Sequence, residues 1–195
     1  PHGQLDDAVA EIAADAGAEV SRGSETDVLD RYWQAARQLG ADLVMRVTSD
    51  CPLIDPALCG QVLALVGPGV DYASNNMPPG FPHGLDCEAM TAAALYQADR
   101  QASDPFDREH VTPWIRRHPE FRRVNVESAS KHADLRWTLD HAADYDFFRA
   151  VFVATQIVII WSRDGIKLGR MLSFPSLSSL QKLPRLVQKF KLAMT

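Results

Sequence analysis

Cysteine is scarce in this sequence, and its scarcity excludes several kinds of site. The chain has three cysteines, Cys51, Cys59 and Cys87, which are too few and too scattered for a disulfide framework. They form no CxxC pair, so the sequence does not predict a zinc site of that type. A reducing cytoplasm is therefore the expected environment.

Long apolar runs and an excess of positive charge are missing as well. The longest apolar run, residues 151–161, is interrupted by Thr155 and Gln156 and is shorter than the ~20 residues that span a bilayer. No membrane span and no signal segment are predicted. The net charge of -5 gives no reason to expect nucleic acid as a partner. A Walker loop and a GxGxxG segment are also missing, and no Ser/His/Asp or Cys/His order indicates nucleophilic catalysis.

The composition is that of a soluble globular protein, with 46% hydrophobic and 23% charged residues in 195. The charge is unevenly distributed, because the end of the chain is rich in Lys and Arg and has Asp164 as its one acid after residue 150. This change predicts a main domain over residues 1–152 and a basic C-terminal tail over residues 153–195. The tail could be a separate element, a fusion, an altered gene end or simply a basic terminal helix.

Helical and extended patterns alternate along the chain with short connections. Strands are predicted at residues 18–20, 42–48, 70–73, 85–90, 121–126 and 135–139, and helices at 8–14, 28–39, 56–66, 92–101, 105–117 and 142–153. Pro113 is expected to break or kink the fifth helix. The alternation predicts a three-layer α/β domain with a mixed sheet. Residues 42–48 are almost continuously apolar, which predicts a buried strand of the parallel kind.

Two aspartates directly follow predicted strands. Asp50 comes after residues 42–48, and Asp140 comes after residues 135–139. Ligands of open α/β sheets bind beyond the carboxyl ends of strands, and two carboxylates that meet there could hold Mg²⁺. The alternative is that each aspartate only caps a loop or helix, as Asp140 could do for the helix from Ala142. From spacing alone, capping is the commoner arrangement.

Two further segments are dense in polar groups, residues 81–88 and residues 108–112. In the second, His110 could donate a hydrogen bond to a phosphate or a carboxylate. A histidine in the core or on a helix face is the more usual finding, so both interpretations stay open.

Six segments in one order carry a resemblance to a known family. They are RGSETDVLDRY at 22–32, RVTSDCPLIDP at 46–56, DYASN at 71–75, FPHGLDCE at 81–88, REHVTP at 108–113 and LRWTLD at 135–140. Together they resemble the cytidylyltransferase-like proteins of spore-coat and surface polysaccharide biosynthesis, which are relatives of the enzymes that make CMP-activated acidic sugars. His83 stands where that family has an acid.

The resemblance implies a fold, a reaction and a metal. The fold is the Rossmann-like nucleotide-diphospho-sugar transferase type, here without its first βα segment, whose RxxSxRLPGK loop wraps the triphosphate. The reaction is attack of a sugar oxygen on the α-phosphate of CTP with release of pyrophosphate. Asp50 and Asp140 are the implied catalytic residues and Mg²⁺ ligands. The resemblance therefore favours a ligand role over a capping role for both aspartates. CTP and a sugar acid are the implied partners, and a homodimer is compatible with the resemblance.

The resemblance also implies a set of residues that bind nucleotide or substrate: Arg22, Ser24, Arg31, Arg46, Asn75, His83, Asp86, Glu88, His110 and Arg136. Five of them, at positions 83, 86, 88, 110 and 136, are expected to line one cleft with the two aspartates. Because no other glycine-rich basic segment is available for the triphosphate, turnover is expected to be impaired. A non-catalytic truncated remnant and a nucleotide-sugar-dependent glycosyltransferase are the alternative functions.

Overall fold

The computed structural model describes residues 1–128, 132–155, 157–162 and 165–170. A 3₁₀ turn at Gln4–Asp6 opens the chain. The helices are α1 Asp7–Asp15, α2 Val28–Leu39, α3 Pro56–Ala64, α4 Ala92–Gln101, α5 Pro105–His110, α6 Pro113–Arg117 and α7 Ala142–Thr155. The strands are β1 Leu43–Arg46, β2 Tyr72–Ser74, β3 Glu88–Thr91, β4 Arg123–Asn125, β5 Ile157–Ser162 and β6 Gly165–Arg170.

Local capping residues set most of the helix bounds. The side chains of Asp27, Asp55 and Thr91 accept hydrogen bonds from backbone N–H groups at the starts of α2, α3 and α4. Helix α2 ends at Gly40, which adopts a left-handed conformation with φ 61°. Pro113 cannot continue α5 and instead occupies the first turn of α6, so the predicted break is confirmed.

The central sheet is mixed, as predicted, with the strand order β1-β3-β2-β4. Strand β3 pairs antiparallel with both β1 and β2, and β2 pairs parallel with β4. The prediction of a buried parallel strand at residues 42–48 is wrong. Strand β1 forms one edge of this sheet, its only neighbour runs antiparallel within the described chain, and Leu43 is 39% exposed.

Two other predicted strands are absent from the described residues. A strand needs a hydrogen-bonding neighbour, and residues 18–20 have none, which leaves Val20 exposed. Residues 135–139 make a single parallel bridge, between Arg136 and His83, and so do not form a ladder. Periodicity indicated an extended chain at both places but could not supply the partner.

Helices cover both faces of the sheet. On one face, buried Leu29, Met90, Leu95 and Ile115 join α2, α4 and α6 to the strands. On the other face, α3 packs through a cluster that includes Val62. Full burial of an aliphatic side chain contributes about 1.5–3 kcal/mol, so these clusters hold the three layers together.

A third cluster supports the ends of the strands. Trp137, Phe148 and Val151 are buried, and Leu53 and Leu85 pack against them. This cluster anchors α7 beneath the loop that leads to Asp140. Helix α7 continues through the predicted domain boundary at residues 152–153. That boundary stays a prediction, and residues 171–195 of the tail lie outside the described residues.

The first twenty residues pack little against the rest of the domain. Leu5 in the 3₁₀ turn and Val9 and Ile12 in α1 are all more than 60% exposed. Arg22 holds this segment, since its guanidinium donates to Asp7 and to two backbone carbonyls near the start of the chain. Among the described helices, none is both long enough and apolar enough to cross a membrane.

Candidate functional site

Asp50 and Asp140 lie on segments that are hydrogen-bonded to each other. The backbone N–H of Leu139 donates to the backbone carbonyl of Asp50 over 2.8 Å. The loop after β1 and the loop before α7 therefore run side by side at the carboxyl end of β1. The sequence prediction requires the two aspartates to be neighbours, and this bond joins the segments that carry them.

The carboxylate of Asp140 is oriented from its own loop. Its Oδ2 accepts from Arg136 Nη1 at 2.9 Å and from Thr138 Oγ1 at 2.6 Å. The backbone N–H groups of Asp140 and His141 are satisfied by Asp144, whose Oδ2 accepts both. Asp144 thus does the capping at this helix start, and the bonds of Asp140 do not favour the capping alternative.

Cys51 is the immediate neighbour of Asp50. Its Sγ lies 3.7 Å from Asp50 Oδ1 and 3.3 Å from Thr48 Oγ1. Burial raises the pKa of this thiol to about 11, and the carboxylates of Asp50 and Asp86 add to the rise. The free thiol is therefore protonated at neutral pH.

A short loop brings two more of the predicted residues to the same place. His83 Nδ1 and Asp86 Oδ2 are 2.6 Å apart, and Asp86 also accepts from the N–H of Gly84. The backbone of His83 bonds to Leu135 at 2.9 Å and to Trp137 at 2.6 Å. We call the resulting group the strand-end site: Asp50, His83, Asp86, Arg136 and Asp140.

Gly84 makes the close approach of this loop possible. Its φ is 108°, a backbone conformation that side chains oppose, and a Cβ there would lie 2.3 Å from the carbonyl oxygen of Trp137. Any larger residue would push the 81–88 loop away from residues 135–138. The strand-end site therefore depends on the absence of a side chain at this position.

Two cavities open beside the strand-end site. One of about 280 Å³ is lined by residues 134–138 together with Asp144 and Phe147. Arg136 projects at its wall and pairs with both Asp140 and Asp144. The other, of about 670 Å³, is lined by residues 78–80, 127, 128, 133 and 134. Because Asp134 lines both, the two cavities are neighbours.

Glu88 belongs to a different group, inside the domain. It is 3% exposed and accepts hydrogen bonds from Thr112 Oγ1 at 2.8 Å, from Arg46 Nη1 at 2.8 Å and from the hydroxyl of Tyr72. Burial, followed by the Glu88 carboxylate, raises the pKa of Tyr72 far above its ordinary range. Both carboxylate oxygens of Glu88 are therefore bonded to protein groups.

The remaining predicted residues are not part of the strand-end site, although Asn75 bonds the residues on either side of Asp86. Asn75 is 1% exposed, donates to Leu85 O at 2.7 Å and accepts from Cys87 N at 2.9 Å. Ser24 accepts from the N–H of Asp27, and Arg31 packs against Gly23. Arg22 binds the first residues of the chain, as described above.

The expectation of one shared cleft holds only in part. The structure brings His83, Asp86 and Arg136 together, whereas Glu88 sits in its own buried network. His110 is on the exposed side of α5, where its ring contacts Phe106 edge-on at 4.4 Å. The binding roles of all these residues stay predictions.

Several residues of these groups were not singled out from the sequence. Thr138, Tyr72 and Thr112 all fall within the quoted motifs, but nothing in the residue pattern distinguishes their hydroxyls from others in the chain. Asp144 stands three residues after His141, the spacing by which an acid in a first helical turn reaches back to the preceding N–H groups. That spacing was the available signal for it.

No group of three or more His, Cys, Asp or Glu side chains suited to a metal ion occurs in the part of the chain that the structure describes. Asp50 and Asp140 lie on adjacent segments of the strand-end site, whose third carboxylate, Asp86, is paired with His83. Mg²⁺ commonly uses one or two protein carboxylates and completes its shell with waters and substrate phosphates. The donor set is of that kind.

The sequence is similar to two curated proteins from other organisms. The chain is 34% identical over 147 residues to an uncharacterized protein of Methanocaldococcus jannaschii, covering 73% of this chain and 59% of that protein. It is 33% identical over 141 residues to the spore coat polysaccharide biosynthesis protein SpsF of Bacillus subtilis, covering 70% and 58%. The chain thus spans less than two thirds of the length of these relatives.

A solved structure and a family model extend these matches. A cytidylyltransferase from Leptospira borgpetersenii superposes with a TM-score of 0.77 over 98% of this chain and 75% of that one, at 24% identity, which establishes the shared fold. The family model described as cytidylyltransferase matches residues 2–189. On these matches, the chain belongs to the cytidylyltransferase family.

Proposed function

We propose that this chain takes part in transferring CMP from CTP to a sugar acid or related glycan precursor in surface polysaccharide biosynthesis. The observation that supports the proposal is the Leu139–Asp50 backbone hydrogen bond, which joins the segments that carry the two motif aspartates. Family membership supports the reaction class, and the cavities beside Arg136 offer room for a substrate group.

The strand-end site fits a hard divalent cation such as Mg²⁺. Asp140 keeps one carboxylate oxygen without a partner among the described residues, and Asp50 accepts only a weak bond from the Cys51 thiol. Asp50 and Asp140 would hold the ion, and the ion when bound would neutralise charge on the phosphates of the nucleotide.

The residues around the aspartates act by positioning. Arg136 and Thr138 fix the carboxylate of Asp140 in one orientation, and Asp144 fixes Arg136 in turn. Asp86 holds the imidazole of His83, which is 65% exposed and faces outward at the same edge. Phosphoryl transfer depends mainly on positioning and charge neutralisation, which is what such a fixed group supplies.

The first test is metal binding in the presence of CTP. Mn²⁺ affinity, read by electron paramagnetic resonance, is expected to fall about tenfold or more in Asp50→Asn and in Asp140→Asn, because each loses an anionic ligand. Asp15→Asn, at the end of α1, is the matched control and should bind like the wild type. Wild-type affinity in both site variants would refute the metal assignment.

The second test is the reaction itself. Pyrophosphate release is measured with CTP, Mg²⁺ and a panel of sugar acids, amino sugars and neutral sugars. Acceptor-dependent release that disappears in Asp50→Asn supports the proposed function. If Mn²⁺ and CTP bind at the aspartates but no acceptor in the panel stimulates release, nucleotidyl transfer to a sugar is the part that fails.

A further inference from the structure

Side chains from three other sequence motifs bind one buried carboxylate, that of Glu88. Arg46 and Thr112 bind it at 2.8 Å, Tyr72 donates its hydroxyl to it, and Tyr32 lies within its electrostatic reach. These residues come from segments that are far apart in the sequence and lie outside the strand-end site. A convergence of this extent needs a reason beyond the metal site.

One of the converging segments is strained. Val111 is fully buried with φ 71° and ψ −56°, and the N–H of Thr112 bonds to the carbonyl of His110 over 2.8 Å. This is a γ-turn of the rare positive-φ kind, centred on a β-branched residue. Such a conformation costs about 1–3 kcal/mol and persists only where the surroundings impose it. Here the turn carries Thr112 to Glu88.

The charges around Glu88 do not balance. Arg116 Nη1 lies 3.8 Å from Glu88 Oε1, whereas Arg46 binds Oε2, so two guanidinium groups face one carboxylate. Burial raises the pKa of the nearby Tyr32 phenol, and the positive charges of Arg46 and Arg31 act in the opposite direction. One arginine is enough to neutralise the carboxylate of Glu88, so the second guanidinium leaves an excess of positive charge beside it.

The two arginines keep donors for another molecule. Arg46 uses only Nη1 within the described residues, so its Nε and Nη2 have no protein acceptor there. Arg116 uses Nε on the sulfur of Met77 and makes only the long contact to Glu88 through Nη1. Their side chains are 22% and 31% exposed, so both reach the surface while Glu88 stays beneath them.

This arginine pair lies near the strand-end site along two stretches of chain. Arg46 is the last residue of β1 and precedes Asp50 by four positions, and Glu88 follows Asp86 by two. An extended chain advances at most ~3.6 Å per residue, so these separations are within about 14 Å and about 7 Å. A nucleotide with several phosphates can reach both places.

We propose that Arg46 and Arg116 form an anion subsite that binds a phosphate group of the nucleotide, with Glu88 as the residue that positions both guanidinium groups. The assignment to a nucleotide rests on the proposed function. Guanidinium forks bind phosphate oxygens in pairs and keep their charge at all physiological pH values. Thr112 and Tyr72 hold Glu88 in place, which explains why a strained turn is kept there.

Metal-free binding of inorganic pyrophosphate isolates this subsite from the metal site. Isothermal titration of the full chain is run in EDTA at low ionic strength for the wild type, Arg116→Ala, Arg116→Lys and Arg46→Ala. Both alanine variants are expected to bind about tenfold more weakly or worse, since each loses charge-assisted hydrogen bonds. Arg116→Lys recovers part of the affinity, because an ammonium keeps the charge but not the fork.

Three controls make the result decisive. Arg100→Ala, an exposed arginine of α4 without an ion pair among the described residues, should bind pyrophosphate like the wild type. Asp50→Asn should also keep metal-free binding, so a failure of the proposed function leaves this test intact. Urea unfolding verifies that each variant is folded, and Arg116→Lys replaces Arg116→Ala if the latter is not.

Two outcomes would overturn the proposal. One is that the wild type binds no pyrophosphate, or that folded Arg46 and Arg116 variants bind it as tightly as the wild type. The other is that the variants lose affinity only for a carboxylate probe, N-acetylneuraminate, which would assign the arginines to an acidic acceptor instead of a phosphate.

Discussion

Replacing Gly84 with alanine should open the strand-end site by displacing the loop that carries His83 and Asp86. The new methyl group would meet the carbonyl oxygen of Trp137 at 2.3 Å and would sit on a backbone with φ 108°. Backbone strain of this type costs about 1–3 kcal/mol. Moving the loop also breaks the hydrogen bonds from His83 N to Leu135 and from Trp137 N to His83, at about 1 kcal/mol each.

The expected total is a loss of about 3–5 kcal/mol in the free energy of unfolding, a large part of the 5–15 kcal/mol that is roughly typical of a domain. Urea denaturation measures it. Gly60→Ala is the matched control, because Gly60 lies in α3 with no heavy atom within 4 Å of its added Cβ, and it should stabilise by about 0.5–1 kcal/mol. A Gly84→Ala protein within about 0.5 kcal/mol of the wild type would refute the reasoning.

Three further perturbations probe the supporting structure. Burial tends to raise the pKa of Asp27, but hydrogen bonds from Arg108 outweigh this effect and keep that pKa below its ordinary 3.8. Asp27 therefore stabilises the fold at pH values above 3.8, and this stability is lost as the pH falls through the folded pKa. Wild-type unfolding energy should therefore drop more between about pH 6 and about pH 3 than that of Arg108→Gln, and equal drops would contradict this. Iodoacetamide should alkylate Cys51 slowly at about pH 8 and faster toward pH 11, by peptide mass spectrometry, because its pKa is about 11; rapid reaction at neutral pH would show that the thiol is neither buried nor protonated. Asn75→Ala should lower the unfolding free energy by about 2–4 kcal/mol in urea, since it leaves a buried carbonyl and a buried N–H unpaired, and an unchanged midpoint would be inconsistent with that role.

The sequence predicts features that depend on neighbours in the chain. The caps Asp27, Asp55 and Thr91, and the break at Pro113, locate helix ends because capping and ring closure act within one turn. The alternation of helices and strands predicts the layered α/β class for the same reason. The prediction that Asp50 follows a strand is consistent with the loop after β1, whereas Asp140 follows a segment that makes only one bridge.

Features that depend on distant partners could not be predicted in the same way. Residues 18–20 and 135–139 have strand-like composition, but a strand also needs a neighbour, which composition does not show. The apolar run at 42–48 indicated burial, yet β1 lies at an edge of the described sheet. Glu88 was assigned to the cleft from its motif, whereas its burial comes from Arg46 and Thr112, which are 42 and 24 positions away.

The order of strands has a consequence for how this protein folds. Strand β3 lies between β1 and β2, so the chain must close a loop from residues 43–46 to residues 88–91 before β1 has any partner in this sheet. Strand β4 similarly joins β2 from a distance, with Ser74 and Asn125 bonded across 51 positions. Long-range pairings of this kind slow folding, because loop closure precedes the contacts that reward it. Arg46 and Glu88 face each other in the β1–β3 register, so the ion pair beneath the arginine pair forms only after this loop has closed.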